Sequence, residues 1–297
     1  IKSGTTRQVQ YFLKTDKNKE VVVSLKEKVE EHKVWQKNFE KDFEGLPKNV
    51  RDICEYGFLE MLNNAIDHSE GTGVVIKTIW ASDSVTIAIR DNGIGIFRKI
   101  KNALELDNER ESILDLSKGK FTTDQENHTG EGIFFTSRAF DIFHIVSRGI
   151  SYIRTNWDED WFVETMKDEN VPGTGLIMKI ALDSKRKMQK VFEEFVEENP
   201  EGMPKFDRTH ILVQLSQLGD ERYVSRSQAR RICLGLEKFK HVVLDFKDIS
   251  TVGQGFVDEV FRVFQSKHPG IKITYTNAND DVRFMIERSL PALEEEK

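Results

Sequence analysis

No apolar run in the sequence approaches the roughly 18 residues that a membrane-spanning helix requires, and no signal-peptide pattern opens the chain. A membrane partner is therefore not expected. Positive charge is not in excess either: 44 Lys and Arg face 50 Asp and Glu, a net charge of −6, so no global basic field argues for nucleic acid. Cysteine is scarce. Cys54 and Cys233 lie far apart in helix-like surroundings, with no Cys or His at metal-ligand spacing. They read as free, buried thiols of a reducing compartment, which makes the cytoplasm the expected address. The chain begins at Ile1 without a methionine, as expected of a fragment of something longer.

What is present is a soluble-type composition, 38% apolar and 32% charged over 297 residues, enough for two domains with their own cores. Three pieces are distinguishable. Residues 1–46 are charged and helix-forming, with Val21, Val22, Val23, Trp35 and Phe39 among many Lys and Glu, and Gly45-Leu46-Pro47 breaks the run. Residues 47–198 open with a predicted helix at 50–68, where Ile53, Phe58, Leu62 and Ile66 recur at helical spacing. Strands are predicted at 74–80, 85–90, 143–147, 151–155, 161–164 and 176–180, and helices at 133–140 and 185–197. The stretch 98–129 is polar and partly helical. Residues 198–204, with two prolines and a glycine, read as a linker. From 206 to 297, strands alternate with helices, predicting a small α/β domain with a largely parallel sheet.

Four motifs of the middle piece carry chemistry. Glu60 and Asn64 stand at i and i+4 of the predicted helix and project from one face. A carboxylate there deprotonates an attacking water or hydroxyl, and an amide oxygen one turn on is a hard ligand for magnesium. Asp67 lies near the end of the same helix. An exposed polar face is the plain alternative. Asp91-Asn92-Gly93-Ile94-Gly95-Ile96 follows a strand directly. Its glycines permit close backbone approach, and an aspartate at a strand end accepts a hydrogen bond from an exocyclic amine, which selects adenine over guanine. The alternative is an ordinary hairpin turn. His128-Thr129-Gly130-Glu131-Gly132 leads through Ile133 into a helix, whose free N–H groups and positive dipole end suit phosphate. Pro172-Gly173-Thr174-Gly175 opens a strand, with Thr174 placed to back up Asp91.

In this order the motifs resemble the boxes of the GHKL ATP-binding fold of gyrase-type topoisomerases, MutL-type repair proteins, heat-shock chaperones, histidine kinases and anti-sigma serine kinases. The resemblance covers about half the chain. It implies an α/β sandwich that binds ATP or ADP with magnesium, with Glu60 as general base, Asn64 as magnesium ligand and Asp91 as adenine anchor. It places Asp67, Gly93, Gly95, Ile96, Lys120, Thr129, Gly130, Glu131, Gly132, Ile133 and Thr174 at the nucleotide. It also implies a mobile lid over 98–129, where Lys118 or Lys120 meets a phosphate or remains a solvated loop lysine.

Glu60 favours hydrolysis or Ser/Thr phosphorylation over histidine autophosphorylation, since two-component kinases usually have asparagine there. Residues 60–69 are similar to the Glu-x-x-x-Asn-Ala-Ile-x-His motif of anti-sigma serine kinases. That family has a basic residue, usually arginine, where this chain has His128, and a neutral imidazole stabilises transferring phosphate less. Arg138 either compensates or is a helix-surface residue. The βαβαβα order after 206 resembles STAS domains, with Val242 to Phe246 as a strand and a helix near Gly255. That resemblance implies a docking element for a protein partner, with Ser250 or Thr251 as a phosphoacceptor or a plain turn. Gly4 to Lys14 resembles the recognition helix of a winged helix-turn-helix, with Arg7, Gln8 and Gln10 facing DNA; a helical arm for a homodimer is the alternative. The expected fold class is thus α/β: an N-terminal helical segment, a GHKL sandwich and a STAS-like domain. The expected function is a slow magnesium-dependent ATPase acting as a regulatory switch, with a Ser/Thr kinase and an ATP-tuned DNA-binding regulator as alternatives.

Overall fold

The computed structural model describes residues 2–3, 10–11, 17–121, 130–155, 161–164, 171–198, 204–217 and 223–290. Along the chain come β1 (Lys2–Ser3), β2 (Gln10–Tyr11), β3 (Lys19–Ser24), α1 (Glu31–Asn38), α2 (Glu40–Phe43), α3 (Lys48–His68), β4 (Gly73–Trp80) and β5 (Ser84–Asp91). Next are α4 (Ile96–Leu104), α5 (Ser112–Lys118), α6 (Gly132–Ala139), β6 (Ile142–Ser147), β7 (Ile150–Thr155), β8 (Trp161–Glu164), β9 (Gly175–Ala181) and α7 (Met188–Phe195). The chain continues with β10 (Val196–Glu198), β11 (Pro204–Phe206), β12 (Arg208–Leu212), α8 (Arg226–Cys233) and β13 (His241–Asp245). It ends with α9 (Gln254–Val257), a π-helical stretch at Asp258–Phe264, α10 (Gln265–Lys267), β14 (Lys272–Thr276) and α11 (Asp280–Ser289). The fold is mixed α/β, as the sequence implies.

Two units divide the chain: Ile1–Ala103 with Glu131–Val191, and Leu104–Gly130 with Phe192–Lys297. The first unit holds a seven-stranded sheet in the order β3-β4-β5-β9-β6-β7-β8, with every neighbouring pair antiparallel. Alternation explains its one-sided core. Ile76, Ile87, Ile89, Met178, Phe143 and Ile145 are buried, whereas Lys77, Ile79, Ile177 and Lys179 on the other face are exposed. Helices α3 and α6 approach so closely that a β-carbon on Gly57 would overlap the Phe140 ring. Trp35, Phe39 and Phe43, in and between the first two helices, are fully buried; Trp35 and Phe39 pack on Phe58 of α3 with ring centroids 4.9 and 5.3 Å away, and Phe43 packs on Trp35 at 4.9 Å.

The N-terminal segment differs from the expected helix. Lys19–Ser24 is an edge strand on β4, with Val22 opposite Val75 and a cross-strand Lys77–Glu20 ion pair of 2.7 Å. Gln10 and Tyr11, assigned to a recognition helix, instead pair with Ser3 and Lys2 in extended conformation, which a helix excludes. Arg7 and Gln8 lie outside the described residues. The helices α1 and α2 belong to the first unit's core through their buried aromatics and are not a separate arm.

The second unit is built on the parallel sheet β12-β13-β14, and its strand–helix order follows the expected one. Helix α8 stops at Cys233, and Gly235 takes a left-handed φ of +78° before a short 3-10 turn. The ends of the expected linker are strands: Val196, Glu197 and Glu198 pair with Phe206, Lys205 and Pro204.

Candidate functional site

Asp91 ends β5, 6% exposed. Its Oδ1 accepts hydrogen bonds from the backbone N–H of Gly93 at 2.8 Å and of Thr174 at 3.2 Å. Burial raises its pKa above the ordinary carboxylate value, and the two backbone donors oppose the rise. The Asp-Asn-Gly stretch is not a hairpin turn: it leads into α4, whose first N–H, on Ile96, donates to Thr174 Oγ1 at 3.0 Å. Thr174 is therefore joined to both ends of the Asp91 loop.

Three close approaches fix these loops. A β-carbon on Gly93 would overlap the Ser69 carbonyl, which also accepts the Ile94 N–H at 2.8 Å. One on Gly173, where φ is +85°, would overlap the Asp91 carbonyl. One on Gly95, where φ is +92°, would lie 2.6 Å from Ser147 Oγ. Ser147 is buried and donates to the Gly173 carbonyl at 2.8 Å. Asn92 accepts the N–H groups of Thr72 and Gly73 at 2.8 and 3.1 Å. Ser69 and Ser147 escaped the sequence reading, which quoted Asn92 in its motif without giving it a role. Each is an ordinary turn or cap residue whose partners lie elsewhere in the chain.

Glu60 and Asn64 lie on α3, which is tied to the Asp91 loop at its C-terminus by Ser69 and by Lys99 Nζ donating to the His68 carbonyl at 2.7 Å. A β-carbon on Gly132, the first residue of α6, would overlap Glu60 Oε2. The carboxylate thus stands at the positive end of a helix dipole. Tyr56, one turn before Glu60, has its phenol pKa raised by burial and then by the charges of Glu60 and Glu131. Asn64 is half-buried, its Nδ2 4.0 Å from Met61 Sδ. Asp67 is exposed, and Ile133 follows Gly132 half-buried in α6.

The residues of the expected phosphate loop are divided between the two units. Thr129 and His128 lie outside the described residues. Gly130 falls in the second unit, with φ +73° and no room for a β-carbon against the Phe121 carbonyl. Arg138 is not a surface residue: it is buried, stacks 3.4 Å from the Phe134 ring centroid and donates to the Phe134 carbonyl at 3.1 Å. Arg186 gathers the carbonyls of Arg138, Ala139 and Phe140 at 3.2, 3.3 and 3.0 Å, capping the C-terminus of α6.

The lysines expected at phosphate are committed to the second unit. Lys118 is 2% exposed, and its ammonium donates to Asp115 Oδ1 at 2.9 Å, the Arg231 carbonyl at 3.0 Å and the Leu234 carbonyl at 2.9 Å. Three acceptors saturate its three protons. Lys120 reaches Asp207 at 3.2 Å and the Lys238 carbonyl at 2.8 Å, its charge over the rings of Phe206 and Phe239. Thr209 Oγ1 closes the arrangement on the Lys118 carbonyl at 2.7 Å. Neither lysine is a solvated loop residue.

Also in the second unit, Asp245 ends β13 and accepts from Asn277 Nδ2 at 2.9 Å, the Lys247 N–H at 2.9 Å and His210 Nε2 at 3.1 Å. Burial of this carboxyl acts against those bonds, which prevail and leave its pKa lowered. Ser250 and Thr251 are exposed on the loop before Gly253, the N-cap of α9. Both cysteines are free and buried, and burial pushes the Cys233 thiol up to about 12. No helix among the described residues is long and apolar enough to cross a membrane. No curated protein sequence matches the chain. Residues 228–283 match the family model of the STAS-like domain of unknown function (DUF4325), so the C-terminal part of this chain carries a STAS-like domain.

Proposed function

We propose that the first unit binds an adenine nucleotide with magnesium and hydrolyses ATP slowly, as a regulatory switch whose STAS-like part docks a protein partner. The carrying observation is Asp91. Its buried carboxylate is held through Oδ1 by two backbone N–H groups, which leaves Oδ2 for the exocyclic amine of adenine. Burying a carboxylate costs stability unless it is used or paired; the two hydrogen bonds to Asp91 come from backbone N–H groups, and Arg90 is a nearby cation whose charge acts on it. The glycines at 93, 95 and 173 let Ser69, Ser147 and the Asp91 backbone pack tightly around the loops that hold this carboxylate.

Residues at the phosphate end fit the group in a more demanding way. Glu60 and Glu131 put two carboxylates beside Gly132, so a triphosphate needs a divalent cation between it and them. Asn64 would hold that magnesium through its amide oxygen, with phosphate and water completing the shell. Glu60 then takes the proton of the attacking water.

Calorimetric titration with ADP, ATP and GTP tests this reading, with and without magnesium, on the unaltered chain and on Asp91→Asn and Glu60→Ala. Adenine-selective binding that weakens in Asp91→Asn, persists in Glu60→Ala and depends on magnesium for ATP supports it. Phosphate release that vanishes in Glu60→Ala supports hydrolysis, whereas labelled phosphate found on protein alone would make the chain a kinase. Absence of binding to every nucleotide refutes the proposal.

A further inference from the structure

We infer that Ser147 is the positioning residue that sets base selectivity at Asp91, an inference that rests on the adenine-nucleotide reading and adds a residue to it. Ser147 is the last residue of β6, 2% exposed, opposite Ile150 across the turn to β7. Its side chain is enclosed by two glycine loops. On one side Oγ donates to the Gly173 carbonyl at 2.8 Å; on the other it fills the place that a β-carbon on Gly95 would need.

The Gly173–Thr174 turn is what this hydrogen bond holds. Gly173 has a left-handed φ of +85°, and Thr174 donates its N–H to Asp91 Oδ1 at 3.2 Å, the longer of the two bonds there. Thr174 Oγ1 meanwhile accepts the Ile96 N–H. Without the Ser147 hydroxyl the buried Gly173 carbonyl loses its side-chain donor, and the turn is free to rotate away from Asp91. The longer bond is lost first. The carboxylate then keeps only the Gly93 donor and turns about its terminal torsion, which is broad for aspartate.

Direction matters more to base choice than to affinity for phosphate. Adenine presents an amine donor where guanine presents a carbonyl acceptor. A carboxylate with a fixed Oδ2 attracts the first and repels the second, whereas a rotating one discriminates less. Ser147 touches no ligand in this arrangement and acts through Gly173 and Thr174.

The experiment is calorimetric titration of the unaltered chain, Ser147→Ala, Ser147→Cys and Ser147→Thr with ADP and GDP in magnesium, with folding checked by circular dichroism. Ala and Cys, which remove or weaken the donor, are expected to bind ADP about tenfold more weakly and to narrow the ADP-over-GDP ratio. Thr restores the hydroxyl and the ratio. Should Ser147→Ala fail to fold, Ser147→Cys keeps the bulk and carries the same comparison. A Cys variant with the affinity and ratio of the unaltered chain overturns the role of Ser147 while leaving the adenine reading intact. Failure of the unaltered chain to bind ADP overturns both.

Discussion

The carboxylate of Glu60 stands where a β-carbon on Gly132 would have to be. A helix-three side chain thereby reads the start of α6 at the level of one atom. Gly132→Ala has only one outlet for the added methyl, because the Gly132 backbone is fixed by α6: the Glu60 side chain must move. Turnover of ATP is expected to drop by about two orders of magnitude, the scale of a displaced general base. ADP affinity should change by less than about threefold, since the base end does not involve Glu60. Phosphate release and calorimetry on the same preparation check the split.

Asp91→Asn separates stability from function. The raised pKa of Asp91 means that the folded chain takes up a proton more readily than the unfolded one. The unaltered chain therefore loses stability as pH rises through that raised value, and is free of the burden below the ordinary carboxylate range. Asparagine keeps an oxygen for the Gly93 and Thr174 donors without the charge. At neutral pH the variant is expected to melt no lower than the parent, with the two curves converging in acid, while adenine binding weakens by about tenfold or more. Thermal melts across pH, paired with titration, check both halves.

Lys118 carries a different kind of constraint. Its ammonium is saturated by Asp115 and two main-chain carbonyls, all buried or half-buried. Lys118→Met keeps the apolar stem and strands the Asp115 charge, a loss of about 3 kcal/mol by comparison with other broken buried pairs. Replacing both, as Lys118→Met with Asp115→Leu, should recover a good part of that. Urea unfolding of the single and double variants measures the difference.

Motifs confined to a few residues were legible in the sequence. Glu60 and Asn64 share a face because helical spacing is local, and Asp91 ends a strand because Ser84–Asp91 alternates. What escaped was set by distant partners. Lys19–Ser24 carries three successive valines that favour a strand, but they sit among helix-forming Lys and Glu, and the pairing with β4 decides the outcome. The acceptors of Lys118 and Lys120 lie 87 to 118 residues onward for Asp207, Arg231, Leu234 and Lys238, so position between two nucleotide motifs suggested phosphate instead. Ser147 was read only as the end of the strand 143–147, and its meaning depends on Gly173. The C-terminal strand–helix alternation needed no such partners and was read with its order intact.

The second unit is drawn from two separated stretches, and the chain crosses between units at 103/104, 130/131 and 191/192. Its portability suffers accordingly. A graft of residues 206–297 onto another protein would leave α5 behind, with Thr209 deprived of the Lys118 carbonyl and Asp207 of Lys120. A continuous segment that carries both stretches of this unit also carries residues 131–191 of the other.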